Sequence, residues 1–267
     1  KIVSHKETVL GGVCVINSTE KVIWLLKRLG EPPYELSLTQ LSNEIGYPKS
    51  GIYKILLALQ KEGLILQKRE NKKYSIGPAL FRLGSLYNEI KGITSVADPV
   101  MQNLASQTKE TVSLGVREHE EAIMIHKIES PHAIRLFGKL GQRYPMNAGA
   151  IGKLLAAHLD PDRTEEMLRS AILEKQTENT ITEPAELMKE YEIIRQRGYA
   201  ISNEEKQPGA FGIAAPVMNA EGHVFAALCI AGPKERFSES NQQRWIPLLL
   251  GAADELTFLL SGKNRAV

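Results

Sequence analysis

Apolar residues recur at helical spacing in three segments of the first third of the chain. In the first segment, Ser18 can cap a helix and Gly30 follows its last turn. The apolar positions between these two residues are Val22, Ile23, Leu25, Leu26 and Leu29. This spacing predicts an amphipathic helix whose apolar side packs against a core.

The next two segments predict a pair of helices separated by a tight turn. Ser37 and Gln40 fit a capping box at the start of the shorter helix, and Gly46 ends it. Pro48 suits the first position of the second helix, which ends at Gly63. The buried stripe predicted for this second helix consists of Ile52, Ile55, Leu56 and Leu59.

Two short runs with strand-like composition follow, and they predict a hairpin. The runs are LILQKR at 64–69 and KYSIG at 73–77, joined by a polar turn at 70–72. One helix, two helices around a turn and a basic hairpin give the element order of a winged helix-turn-helix domain. We expect this domain over residues 1–77 and an amphipathic linker helix within 78–92.

Residues 93–267 predict a domain in which helices and strands are mixed. The predicted strands cover 111–118, 122–129, 133–139, 211–218 and 223–232, and the predicted helices cover 99–109, 150–159, 161–173, 184–197 and 240–260. The last two strands flank a turn at 219–222, which favours an antiparallel connection. The expected fold class is therefore α+β with a mostly antiparallel sheet.

Composition places the chain among soluble globular proteins. It has 267 residues, of which 43% are hydrophobic and 24% are charged. No apolar run approaches the roughly 20 residues needed to cross a bilayer, and the first ten residues lack the apolar core of a secretory signal. The two cysteines, Cys14 and Cys229, fit a reducing compartment and exclude a CxxC metal site. We expect a cytoplasmic protein with no membrane segment, no metal and no cofactor.

Charge is divided unevenly along the chain. Residues 1–92 carry 14 lysine and arginine residues against 8 acidic residues, whereas residues 93–267 carry 19 against 23. A basic amino-terminal part points to a polyanionic partner, although many domains without such a partner are also mildly basic.

The second helix of the predicted pair carries polar and basic residues opposite its apolar stripe. These residues are Lys49, Ser50, Tyr53 and Lys54, at the amino-terminal end, which in a helix-turn-helix lies nearest the base edges. Ser37 and Thr39 can bond phosphates from the preceding helix start, and the hairpin adds Lys68, Arg69, Lys72 and Lys73. Taken alone, the helix could also present an ordinary solvated face. With its neighbours it predicts binding to double-stranded DNA.

The chain resembles the IclR family of bacterial transcriptional regulators over nearly its whole length. The blocks that carry the resemblance are LSLTQLSNEIGYPKSGIYKILLALQKEGLI, YSIGPALFRLG, ETVSLGVRE, PMNAGAIGK, EYEIIRQRGYAISNEE, GIAAPV and ALCIAGPKERF. The resemblance implies a GAF-like effector-binding domain after the winged helix, and a homodimer that often assembles to a homotetramer. It also implies a repressor or activator whose hold on its DNA operator depends on a small-molecule effector, a carboxylic acid.

The chain departs from the family pattern inside the predicted recognition helix. The family usually has threonine where this chain has Gly51, and arginine where it has Lys54. Glycine permits close approach of the backbone to a phosphate, and lysine lacks the two-pronged donor that arginine offers to guanine. Base preference is therefore expected to differ.

By resemblance, the effector would bind at Ala150 and Ile151, at the start of a helix, where free backbone N–H groups suit an anion. Alternatively, small residues at 148–150 only allow close packing of helix on sheet. The other pocket positions implied by the resemblance are Ser202, Gly212, Cys229 and Ala231, with apolar walls expected from Leu136, Met146 and Leu228. The family often has aspartate at 202 and cysteine at 212, so this chain predicts a roomier and less negative cavity.

Two rival functions are weighed against a ligand-controlled regulator. An enzyme could use Cys229 with one of the histidines 119, 126 or 132, but the chain has no HxH or HExxH spacing. Glu204 and Glu205 are adjacent and so point to opposite sides of an extended chain, which makes them a poor acid/base pair. We therefore expect no enzyme. The other rival is a DNA-binding protein whose second domain only oligomerises.

Overall fold

The computed structural model describes residues 17–136, 138–170 and 173–261. The chain divides between Lys91 and Gly92 into two compact units. Cys14 and the first ten residues lie outside the described residues, as does part of the segment expected to end a helix at 173. No helix in the described ranges is long and apolar enough to cross a membrane.

Unit 1 contains four helices and a two-stranded sheet among its described residues. They are α1 (Ser18–Leu29), α2 (Leu38–Ile45), α3 (Lys49–Lys61), β1 (Ile65–Gln67), β2 (Tyr74–Ile76) and α4 (Pro78–Lys91). The two strands are antiparallel, and Leu36 forms an additional bridge to Tyr74. This is the winged helix-turn-helix arrangement that the sequence predicts.

The helix caps of unit 1 agree with the sequence prediction at α2 and differ from it at α1. Ser37 and Gln40 form the predicted capping box at the start of α2, and Gly46 ends that helix in the left-handed conformation at φ 69°. At the start of α1, however, the capping residue is Asn17 rather than Ser18. The Asn17 side chain accepts a hydrogen bond from the Glu20 N–H, and the Glu20 carboxylate accepts one from the Asn17 N–H.

The core of unit 1 lies where the apolar stripes predict it. Its buried members are Leu25, Leu29, Leu36, Leu41, Ile52, Leu56, Leu59, Ile65 and Tyr74. Ile55 packs against this cluster while remaining partly exposed, and Ile23 of the first stripe faces outward.

Unit 2 is built on one six-stranded antiparallel sheet. Its elements are α5 (Ile93–Thr108), β3 (Thr111–Glu118), β4 (Glu121–Ile128), β5 (Arg143–Pro145), α6 (Ala150–Ala157), α7 (Pro161–Ser170), α8 (Pro184–Arg197), β6 (Ala200–Asn203), β7 (Ala210–Met218), β8 (Val224–Pro233), a short 3-10 turn at Lys234–Arg236 and α9 (Glu239–Ser261). The strand order is β5-β4-β3-β8-β7-β6, and every neighbouring pair is antiparallel. The predicted α+β class with an antiparallel sheet is confirmed.

Alternate residues of the central strands pack on opposite faces of the sheet. Leu228 and Ile230 of β8 join the cluster formed with α5 and α9. Cys229 lies between them in the chain and joins the cluster formed with α6, α7 and α8. The period of two in side-chain direction therefore separates two cores across one sheet.

Several boundaries in unit 2 correct the sequence expectations. Helix α5 begins at Ile93, not Pro99, so the proline lies inside the helix. The described residues of the segment predicted as a strand at 133–139 form no strand, and β5 and β6 were not predicted. β5 and β6 have three and four residues, too few to show alternation, and both lie at the edges of the sheet. Their conformation depends on pairing with β4 and β7.

The buried Tyr191 of α8 fixes the chain just before α6. Its hydroxyl donates a 3.0 Å hydrogen bond to the carbonyl oxygen of Met146, and the side chain is fully buried in the core beneath α6. This bond joins α8 to the segment that delivers residues 147–149 to the start of α6.

We expect Tyr191→Phe to lower the stability of unit 2 by about 1–3 kcal/mol, because it removes this buried hydrogen bond while keeping the ring. Urea unfolding followed by the fluorescence of Trp245, in a Trp24→Phe background, reports on unit 2 because the chain has only these two tryptophans. Tyr53→Phe is the matched control, since Tyr53 is exposed. Equal midpoints for the two variants would contradict this role of Tyr191.

Candidate functional site

The turn between α2 and α3 is held by backbone and side-chain hydrogen bonds. The Ser42 hydroxyl donates a 2.7 Å hydrogen bond to the Tyr47 carbonyl oxygen, and the Tyr47 N–H donates to the Ser42 carbonyl. Pro48 precedes the first residue of α3 and provides no side-chain cap. The turn therefore sets the direction in which α3 leaves the core.

Helix α3 separates its apolar and polar sides as the sequence predicts. Ile52 and Leu56 are fully buried. The residues expected to face DNA at the amino-terminal end are exposed, namely Lys49, Ser50, Tyr53 and Lys54. This end of α3 thus presents two ammonium groups, a hydroxyl and a phenol to solvent.

The space beside Gly51 is filled by a side chain, whereas the sequence suggested that the glycine backbone could approach a phosphate there. A Cβ atom at Gly51 would lie 2.2 Å from Cε1 of the Tyr47 ring, so this ring fills the space beside the glycine. The same ring also makes a cation contact, because the Lys21 ammonium lies 3.8 Å from its centroid. Gly51 is therefore required for packing of Tyr47.

The hairpin presents fewer free charges than the sequence indicates. Lys68 forms an ion pair with Glu35, and this contact holds the pKa of the Glu35 carboxyl below its usual range. Arg69 and Lys72 are exposed at the turn, whereas Lys73 is half-buried. The Asn71 side chain accepts a 2.9 Å hydrogen bond from the Lys73 N–H, which orders the turn.

Ser37 and Thr39 differ in whether their hydroxyl groups are available to bind a phosphate. The Ser37 hydroxyl is engaged with Gln40 in the cap of α2, at 2.9 Å from Oε1 and 3.3 Å from the backbone nitrogen. Thr39 is exposed in the first turn of the same helix. A phosphate contact at this helix start would thus come from Thr39 or the backbone.

In unit 2, a cavity of about 120 Å³ lies between the sheet and the start of α6. Its floor is a row of small residues facing one another across four strands. Thr111, Ala231, Gly212 and Ser202 are register partners in that order. Cys229 and Ser113 form the neighbouring pair. A volume of this size accommodates a small organic acid of a few carbon atoms.

Gly212 keeps the centre of this floor open. A Cβ atom there would lie 3.6 Å from the Ala150 Cβ and 3.7 Å from both the Ala231 Cβ and the Cys229 Sγ. These are ordinary contact distances, so a methyl group would fit but would occupy cavity space.

The start of α6 forms the opposite wall. Gly149 adopts φ 84°, and Ala150 and Ile151 line the cavity in the first turn. The Gly149 N–H donates to Glu205 Oε2 at 3.3 Å, whereas the N–H groups of Ala150 and Ile151 have no partner among the described residues. Two backbone donors and the positive end of the helix dipole are therefore available to an anion.

Behind this wall, Lys153 of α6 is held by two carboxylates. Its ammonium lies 2.6 Å from Glu205 Oε1 and 2.8 Å from Glu190 Oε1, and the side chain is 1% exposed. Burial raises the pKa of Glu205, although the adjacent Lys153 acts in the opposite direction. This arrangement joins α6, α8 and the connection between β6 and β7.

Ser202 and Lys206 are two polar side chains that the structure leaves open to the cavity. Ser202 is 6% exposed, and its hydroxyl has no hydrogen bond to any described residue. The Lys206 ammonium lies 3.5 Å from the centroid of the Tyr144 ring. Burial lowers the pKa of Lys206 to about 8 and raises the pKa of Tyr144.

Six of the eight expected effector-site residues line this cavity. They are Ala150, Ile151, Ser202, Gly212, Cys229 and Ala231, and the expected wall residue Leu136 lines it as well. Met146 and Leu228 do not, which corrects the expectation for both. Leu228 points to the opposite face of the sheet from its neighbour Cys229, and Met146 is buried beneath α6.

Sequence reasoning missed several lining residues, and those with polar groups are Thr111, Ser113, Lys127, Gln142, Tyr144, Lys206 and Gln207. Alternation along TVSLGVRE could have identified Thr111 and Ser113 as polar residues on one face of a buried strand. No local signal identifies Lys206, which follows β6 in an irregular segment.

The residues considered for enzyme chemistry are not assembled for it. Burial raises the pKa of Cys229 to about 12, so its side chain is a thiol at neutral pH. His126 lies 2.8 Å from Asp98, away from the cavity lining, and Glu204 and Glu205 pair with different lysines. Within the described ranges, no three His, Cys, Asp or Glu residues are grouped to hold a metal ion.

Comparison with known proteins assigns two family models to the chain. The family model described as IclR helix-turn-helix domain matches residues 18–69, and the model described as bacterial transcriptional regulator IclR C-terminal matches residues 87–258. The HTH-type transcriptional regulator KdgR of Escherichia coli strain K12 is 35% identical over 242 residues, covering 91% of this chain and 92% of KdgR. These relatives are regulators, which confirms the expectation that the protein is not an enzyme.

Solved structures agree with the fold. IclR of Thermotoga maritima has a TM-score of 0.71 at 28% identity and covers 91% of this chain and 98% of its own. An IclR homologue from Microbacterium hydrocarbonoxydans, complexed with 4-hydroxybenzoate, has a TM-score of 0.79 at 23% identity, with coverage of 91% and 98%. The second match bears on fold alone. With both parts of the chain matched to one family, the protein belongs to the IclR family of bacterial transcriptional regulators.

Proposed function

We propose that this transcriptional regulator binds a double-stranded DNA operator through α3 and the hairpin, and that a small carboxylic acid in the unit 2 cavity controls this binding. The observation that carries the proposal is the cavity, which is lined by the Ala150 and Ile151 N–H groups and the Ser202 hydroxyl, none of them bonded to another described residue. The hydroxyl of the buried residue Ser202 distinguishes this cavity from an ordinary helix start, since buried polar groups normally have a hydrogen-bond partner.

The DNA contacts are assigned by chemistry and position. Lys49, Ser50, Tyr53 and Lys54 are at the end of α3 that enters the major groove in this class of domain. Lys54 acts on phosphate as a point charge, because an ammonium cannot make the bidentate contact that arginine makes with guanine. Arg69, Lys72 and Thr39 contact backbone phosphates. Lys68 contributes after exchanging its Glu35 partner for a phosphate.

The effector's carboxylate accepts hydrogen bonds from the Ala150 and Ile151 N–H groups. Small residues on the floor, with Gly212 at the centre, leave room for the rest of the ligand.

We further propose a homodimer, or a homotetramer built from it, in which α4 carries the effect of the ligand to the DNA-binding unit. Helix α4 ends at Lys91, where the two units meet along the chain. A ligand that binds one arrangement of the oligomer more tightly than another would shift the population between them.

We expect Lys49→Ala with Lys54→Ala to weaken operator binding and to reduce its dependence on salt. Each lost phosphate contact lowers the slope of log K against log salt by about 0.9. The probe is a DNA fragment selected by the protein from a random-sequence library. Lys61→Ala is the control, because Lys61 is an exposed lysine at the other end of α3. An unchanged affinity and slope in the double variant would refute the placement of α3 on DNA.

Filling the cavity should abolish ligand binding. We expect a thermal shift with at least one of gluconate, 4-hydroxybenzoate and pyruvate, since about 2.7 kcal/mol of stabilisation follows when ligand is at 100 times its Kd. Gly212→Leu should remove the shift because its side chain occupies the floor. Gly251→Leu is the control, since a side chain at Gly251 meets open space. A full set of small acids without any shift would favour the domain that only oligomerises.

A further inference from the structure

Lys206 differs from the other two lysines near the cavity. Lys153 is paired with Glu190 and Glu205, and Lys127 is paired with Glu129 at 2.8 Å. Among the described residues, no carboxylate lies within ion-pair distance of the Lys206 ammonium, whose close neighbour is the Tyr144 ring. The protein thus satisfies two of these cations internally and leaves the third without an anion.

The cavity lining is positive as a consequence. It contains Lys127 and Lys206 and, in the described part of the chain, no acidic side chain. The floor residues Thr111, Ala231, Gly212 and Ser202 include no carboxylate that would offset the charge of Lys206. A partly buried cation that lacks a counter-charge carries a desolvation cost that an anionic ligand would offset.

The Lys206 ammonium and the start of α6 are two separate anchor points. The Lys206 stem passes Gly149, because a Cβ atom there would lie 3.9 Å from Lys206 Cδ. The Tyr144 ring extends from Gly149, near its Cδ1, toward Gly138, near its hydroxyl. The ammonium lies over the centre of this ring, whereas the N–H groups of Ala150 and Ile151 belong to the first turn of α6, so the two kinds of donor come from different elements.

We propose that the effector is a small dianion, with one carboxylate on the Ala150 and Ile151 N–H groups and a second acidic group on Lys206. This inference rests on the proposed function of the cavity and specifies its ligand class. Ser202 lies on the floor opposite α6 and donates to the first carboxylate or to a polar group between the two acids. The second acidic group is a carboxylate or a phosphate.

The test compares matched acids that differ only in the second charged group. Glutarate is paired with pentanoate, adipate with hexanoate, and 3-phosphoglycerate with glycerate. Isothermal titration and thermal shift on the full chain give affinity and stabilisation. We expect at least one dianion to bind about tenfold or more tightly than its partner, which is the scale of one charge-assisted hydrogen bond. The pair that responds distinguishes carboxylate from phosphate.

Substitutions at Lys206 then test whether this residue causes the preference for dianions. Lys206→Gln should weaken the dianion about tenfold or more and change the monoanion by less than about threefold. Lys206→Arg should keep most of the preference because it restores a cation. Lys189→Gln is the matched control, an exposed lysine of α8. The melting temperature of each variant without ligand checks its folding.

Two results would overturn the inference in different ways. If monoanions and dianions bind alike and Lys206→Gln changes neither, the dianion class is wrong and the proposed effector cavity stands. If no acid in the set binds the wild-type protein, the proposed effector cavity fails together with the ligand class.

Discussion

The ammonium of Lys153 is held between Glu205 and Glu190, and the geometry of the cavity depends on this pairing. The side chain is almost completely buried, so the charge would be too costly to keep without its two carboxylates. Glu205 also accepts the hydrogen bond from the Gly149 N–H. One carboxylate therefore fixes the start of α6 and the segment after β6 with respect to each other, and both segments line the cavity.

This pairing also determines which groups remain for a ligand. Glu205 satisfies the N–H of Gly149, so the donors left at the helix start are those of Ala150 and Ile151. Because Lys153 and Arg197 together balance Glu205 and Glu190, the Glu205 carboxylate does not cancel the charge of the adjacent Lys206. Lys206 cannot turn back to share Glu205 without competing with Lys153 at 2.6 Å. The cavity is thus positive because the carboxylates behind its wall are already paired with other cations.

The sequence predicted the elements that are defined by patterns of neighbouring residues. Helix α3 is defined by its stripe and its flanking proline and glycine, and its exposed residues follow from a period of about 3.6. The same local reading misplaced Leu228, because two adjacent strand residues cannot both face one cavity. Lys206 was beyond reach, since its position depends on the contact of its stem with Gly149, 57 positions earlier in the numbering. The short strands β5 and β6 likewise depend on pairing partners far away in the chain.

Gly51 and Tyr47 pack against each other at the start of α3. Gly51 leaves space that the Tyr47 ring occupies, with the Lys21 ammonium stacked on the ring. A threonine at 51 would displace that ring, because a Cβ atom alone would approach Tyr47 Cε1 to 2.2 Å. Tyr47 and Gly51 therefore act as one packing unit at the amino-terminal end of α3. The neutral donors exposed next to Lys49 and Lys54 are the hydroxyl groups of Ser50 and Tyr53.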